Sequence, residues 1–178
     1  MLEIITILCL LGAAVLLVYL CAIDLREGLL PNEFVMGFAA LGLVFHLSTM
    51  FQIMSLEDAL LGGFIGGAFL YVIRGIANFY YKQDSLGLGD VKLLTAAGLW
   101  LGPFYILVGI TLGALAGVAH GLYLLIYHRM VSGSHFPMAR LSLPAGPGFA
   151  VGIAIAAGVA YKNLPVLLIP GLLALVGL

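Results

Sequence analysis

The chain has 178 residues, 63% of them hydrophobic and 8% charged, with a formal net charge of -1 at pH 7. A soluble domain carries about 25% charged residues, so this chain cannot cover a water-facing surface and reads as an integral membrane protein. Its near-neutral charge argues against a general nucleic-acid-binding surface.

A membrane-crossing helix needs about 20 mostly apolar residues. The first candidate runs from Leu2 to about Ile23. It lacks the basic start of a signal peptide, and its apolar run is too long for one, so it reads as a retained helix. Cys9 and Cys21 fall on or beside it with neither zinc-site nor disulfide-framework spacing, and read as apolar filler. A polar stretch from Asp24 to Asn32 follows, in which Pro31 disfavours helical geometry at Leu30 and favours a turn. The second span runs from about Glu33 to Met50. After a short loop around Ser55 to Asp58, the third covers Ala59 to about Tyr80. Lys82 to Leu88 is polar and glycine-bearing, and Asp90 opens the next apolar run.

The stretch from Val91 to Tyr127 is too long for one span, and Gly102-Pro103 is its natural break. It divides into a short fourth helix, about Asp90 to Leu101, and a long fifth, about Pro103 to Tyr127. A polar loop, His128 to Ser142, leads to a sixth span, Leu143 to Tyr161. Leu164 to Leu178 is apolar but short and carries Pro165 and Pro170. It reads as a partial seventh span or an interfacial tail. The expected fold is all-α: one polytopic domain over residues 1–178 with about six transmembrane helices and no soluble domain.

If the spans alternate, Arg26, Lys82, Lys92, Arg129 and Arg140 fall on one side, and Lys162 is the only cation on the other. The positive-inside rule makes the first side cytoplasmic and places the N-terminus outside. Both Asp24 and Asp90 then face the cytoplasm at similar depth. Gly62 and Gly66, Gly63 and Gly67, and Gly109, Gly113 and Gly117 recur four apart, a spacing that lets helix backbones approach closely in lipid. Trp100 and tyrosines near span ends, such as Tyr80, Tyr81, Tyr105, Tyr127 and Tyr161, fit interfacial belts.

A carboxylate at bilayer depth is costly, so the acids at the membrane boundary draw attention. Asp24 closes the first apolar run. Asp90 ends the string Gly87-Leu88-Gly89-Asp90. A pair of aspartates can hydrolyse a peptide by holding water between them: one takes its proton, the other polarises the scissile carbonyl. Gly87 and Gly89 allow unusual backbone angles and leave room for a substrate strand. From the residues alone, the same two acids also fit ordinary solvated helix ends.

Three ordered segments carry a resemblance. Ile23-Asp24-Leu25-Arg26-Glu27-Gly28-Leu29-Leu30-Pro31-Asn32 resembles the first motif of the type IV prepilin peptidases, the intramembrane aspartic proteases of pilus and type II secretion systems. Gly87-Leu88-Gly89-Asp90-Val91-Lys92-Leu93-Leu94 resembles the second, GxGD. Leu143-Pro144-Ala145-Gly146-Pro147-Gly148-Phe149 resembles a late Pro-Phe-Gly-Pro-Phe segment, with Ala145 and Gly148 in place of aromatics, and no role is carried onto it. Larger members have an N-terminal segment with paired CxxC motifs and an N-methyltransferase activity. This sequence has no CxxC, and the resemblance leads to the expectation of a form without that segment. It resembles the short forms associated with tight-adherence (Flp) pili, which argues against methylation but not against cleavage.

The resemblance implies an inner-membrane endopeptidase that removes the short basic leader of a prepilin or pseudopilin at the cytoplasmic boundary, with Asp24 and Asp90 catalytic. The other partners it implies are the lipid bilayer and a pilus assembly machinery. No metal and no cofactor are expected: the four histidines show no ligand spacing. Pro31 and Asn32 complete the first motif. Asn32 could hydrogen-bond a catalytic aspartate or substrate backbone, or serve only as a turn or cap residue. Lys92 lies on a different helix face from Asp90 and reads as snorkelling to headgroups. Two other classes compete. A small proton-coupled transporter predicts acids near mid-bilayer and a repeated half-structure. An inert subunit of a pilus or secretion machine tolerates loss of either aspartate.

Overall fold

The computed structural model describes residues 2–82, 87–132 and 145–165. Within them the chain is all-helical: α1 (Leu2–Glu27), α2 (Asn32–Ser48), α3 (Leu56–Tyr81), α4 (Leu88–Ser132) and α5 (Gly146–Ala160). Helices α1, α3 and α4 are long and apolar enough to cross a membrane, while α2 and α5 are shorter apolar helices. Outward-facing side chains are apolar too, as lipid demands: Val18 and Phe64 are each 71% exposed. The expected segment from Leu164 onward is described only as far as residue 165, and the loop over 133–144 lies outside the described residues.

Helix ends depart from the apolar runs for local chemical reasons. α1 continues past Ile23 to Glu27, because Leu25, Arg26 and Glu27 are good helix formers, although Arg26 and Glu27 are poor lipid solutes. It stops at Gly28, whose φ of 62° lets its N–H reach back to the Asp24 carbonyl at 2.9 Å. Asp24 therefore lies inside the last turn of a helix, not beyond it. Pro31 (φ -63°, ψ 131°) then starts α2. α3 starts ahead of its expected first residue because Ser55 caps it: its hydroxyl oxygen accepts the Asp58 N–H at 3.0 Å and donates to Asp58 Oδ2 at 2.8 Å.

The expected break in the fourth apolar run is present. Gly102 leaves helical geometry (φ 69°, ψ -179°) immediately before Pro103 and divides α4 into two arms, 88–101 and 103–132. The second arm runs on through His128, which the sequence assigned to a loop.

The glycine spacing is also used as expected, and it sets how the helices pack. α3 meets the first arm of α4 backbone to backbone. A methyl group at Gly62 would strike the Gly98 carbonyl oxygen and lie 2.6 Å from Gly102 Cα. On the other side of α4, one at Gly113 would lie 2.9 Å from Phe149 Cα, and one at Gly152 would lie 2.8 Å from Gly113 Cα. Thus α3 and α5 bracket α4 through small residues, as helices associate where lipid is as apolar as leucine. α1 and α2 pair with each other, α2 also touches α4, and α1 touches α5.

The first arm of α4 is enclosed. Leu93, Leu94, Ala97 and Leu101 are each at most 1% exposed. Trp100 on that arm is therefore a core residue and not part of an interfacial belt. Its ring stacks on Phe38 at 5.7 Å between centroids, and its Nε1–H donates to the Phe38 carbonyl at 2.9 Å. Gly42 makes room, since a methyl there would lie 2.8 Å from the indole nitrogen. The Tyr161 hydroxyl donates to the Trp100 carbonyl. His46 is likewise a core residue, fully buried, with Nε2 2.9 Å from the Leu99 carbonyl oxygen. Trp100→Phe keeps most of the ring packing and removes the buried donor. It should destabilise the protein by about 1–2 kcal/mol, read as a lower unfolding temperature in detergent.

Candidate active site

The two sequence motifs meet at one end of the bundle. Asp24 comes from the last turn of α1 and Asp90 from the first turn of α4. Both are buried, at 6% and 7% exposure, in a chain whose other acids among the described residues are not buried. The segments that carry them are in contact, through Gly89 beside Asp90 and Leu30 on the connection that follows α1. Asp90 Oδ1 has no hydrogen-bond partner among the described residues. A buried carboxylate oxygen without a partner is costly, and in native proteins such atoms call for an explanation such as a catalytic role.

The glycines of the second motif act by close approach. Gly89 takes its place without a positive φ. A methyl at Gly89 would lie 2.9 Å from Leu30 Cβ, so its absence lets the α1–α2 connection press against the start of α4. A methyl at Gly87 would lie 3.3 Å from Asp90 Oδ2. Gly89→Ala should therefore push Leu30, and with it the Asp24 turn, away from Asp90. A fall in cleavage of about tenfold or more, with little loss of protein, is the expected result in a processing assay.

Asn32 bonds to a lysine. Its Oδ1 accepts from Lys92 Nζ at 2.8 Å, tying the start of α2 to the first arm of α4. Lys92 is exposed, as expected, but its ammonium is held by this contact. Below the pair runs a cavity of about 400 Å³ lined by Val35, Met36, Ala39, Thr95, Ala96 and Leu99 as well as Asn32 and Lys92. Glu27 and Glu33 are exposed, and Asp84 lies outside the described residues. Among the described residues, no three His, Cys, Asp or Glu side chains group as metal ligands.

The sequence left Gly146 without a role, and the structure places it in the site. Its N–H donates to Asp24 Oδ2 at 3.0 Å, bringing the first turn of α5 against the carboxylate. The signal was present in the late glycine-proline segment, but a departure from the expected aromatics obscured it.

The chain is thus a helical membrane protein that buries two carboxylates at one end. Comparison with known proteins gives the family: a model of the type IV leader peptidase family matches residues 11–122, a stretch that includes both aspartates, and the chain belongs to that family. It is 38% identical over 94 residues to a prepilin leader peptidase/N-methyltransferase of Pectobacterium carotovorum subsp. carotovorum, covering 51% of this chain and 33% of the relative. It is 32% identical over 141 residues to a protein of the same name in Burkholderia pseudomallei (strain 1026b), covering 79% of this chain and 43% of the relative. The likeness to the Escherichia coli (strain K12) protein of that name is 31% over 103 residues, covering 58% and 45%. The chain therefore spans less than half the length of these curated relatives. No solved structure matches it significantly.

Proposed function

We propose that this chain is an inner-membrane aspartic endopeptidase that removes the basic leader of a type IV prepilin or pseudopilin, with Asp24 and Asp90 as its catalytic pair. The observation that carries the reading is the convergence of these two buried acids from separate motifs, within the stretch matched by the family. Two close carboxylates cannot both ionise cheaply, so they share a proton. One carboxylate then takes a proton from the attacking water while the protonated partner polarises the scissile carbonyl. The tetrahedral intermediate collapses as the leaving amine is protonated, and the shared proton is restored.

The finer reading is that about six helices cross the bilayer, counting the two arms of α4 separately, with the N-terminus outside and the aspartates at the cytoplasmic face. The distribution of Arg26, Lys82 and Lys92 supports that orientation. Cleavage then falls where a charged leader meets an apolar helix. The groove between α2 and the first arm of α4, polar at Asn32 and Lys92 and apolar below, has the matching polarity. Assembly partners would be those of a pilus or type II secretion machine.

The test is direct. The purified full chain in liposomes is given a synthetic substrate with a short basic leader followed by an apolar helix, and the products are weighed by mass spectrometry. One cut at the leader–helix boundary supports the reading. An intact substrate alongside prompt cleavage by a known prepilin peptidase contradicts it and favours the inert subunit.

A further inference from the structure

We infer that Gly146 is a positioning residue for Asp24: its amide orients the carboxylate, and its missing side chain is the space the carboxylate occupies. The inference rests on the peptidase reading for its functional consequence, but the contact stands on geometry alone. Gly146 opens α5. The first amides of a helix have no partner within it, so this buried N–H needs an acceptor from elsewhere. Asp24 Oδ2 supplies it at 3.0 Å, from the opposite end of the chain.

The same atoms leave no room for a side chain. A methyl at Gly146 would strike Asp24 Oδ2 and lie 2.8 Å from its Cγ and 3.2 Å from its Cβ. The three nearest atoms in the way all belong to the Asp24 side chain. Alanine at this position keeps the amide but drives the carboxylate off it. The rest of α5 is held independently, by Gly148 and Gly152 against the backbone at Gly113 and Gly117. α5 therefore acts as a strut, set by the second arm of α4, that presents one amide to the reacting group. Displacing a catalytic group by about 1 Å can cost on the order of a hundredfold in rate.

Two measurements on the full chain in detergent or liposomes test this. In the first, Gly146→Ala is assayed with the synthetic leader–helix substrate beside Gly158→Ala, a site on α5 where a methyl meets nothing within 4 Å among the described residues. The expected result is a kcat about a hundredfold lower for Gly146→Ala, with KM and unfolding temperature unchanged, and wild-type values for Gly158→Ala. The second needs neither activity nor a variant of Gly146. Hydrogen exchange at the Gly146 amide is compared in wild type and Asp24→Ala, where loss of the acceptor should speed exchange at least about tenfold. A wild-type kcat in Gly146→Ala, or an unchanged exchange rate in Asp24→Ala, overturns the inference. If the wild type cuts no leader, the peptidase reading falls, and the exchange rate still decides the contact.

Discussion

Asp24→Asn and Asp90→Asn should each lower leader cleavage by about a hundredfold to ten-thousandfold while leaving the protein folded and at normal abundance. The size follows from the chemistry. An amide can neither take the water's proton nor share one with its neighbour, so either substitution removes the acid–base pair and not half of it. The structural cost is small. Asparagine matches aspartate in shape, and at position 24 its amide oxygen can still accept the Gly146 N–H. Replacing a buried acid with its neutral isostere also adds no buried charge, so unfolding temperature should hold. Initial rates of leader removal, with unfolding measured in parallel, check both halves of the statement.

The second large effect concerns packing. Gly66→Val should destabilise the protein by about 3 kcal/mol or more and reduce its amount in the membrane. A side chain at Gly66 would strike the Leu94 carbonyl oxygen and lie 3.0 Å from Ile106 Cγ1. Leu94 is fully buried one turn beyond Asp90, so the obstruction is backbone and cannot swing aside. The consequence reaches the site, because the arm that must move carries Asp90. At Gly75 on the same helix an added Cβ meets nothing within 4 Å among the described residues, and Gly75→Val should be tolerated. Membrane abundance and thermal unfolding of the two variants, side by side, separate a packing effect from a propensity effect.

What the sequence reveals depends on whether a residue acts locally or by contact. The helical class, the break at Gly102-Pro103 and the glycine faces are local or periodic properties, and each is present in the structure. The two aspartates stand out because acids are rare in apolar sequence, and the structure buries both together. Boundaries were less legible. The apolar run ends at Ile23, but the backbone obeys Gly28, and α3 obeys Ser55. Trp100 looked interfacial from its place near a helix end, yet enclosure of the first arm of α4 makes it core. Contacts between distant segments were the least legible. Gly146 and Asp24 share no local pattern, and Asn32 pairs with Lys92 across two helices. The glycines before Asp90 were read as giving backbone freedom and room for a substrate strand; the close neighbours they admit, Leu30 and the Asp90 carboxylate, have no local signal.

The central claim is that one pair of carboxylates performs the cleavage. Its most direct test is co-expression of a prepilin from the same genome with the wild-type chain, Asp24→Asn or Asp90→Asn, in a host lacking its own prepilin peptidase. Leader loss is read on a gel and by the mass of the product. The account predicts processed product with the wild type and full-length prepilin with either variant. Equal processing by a variant and the wild type, with all three present at equal abundance, would contradict it.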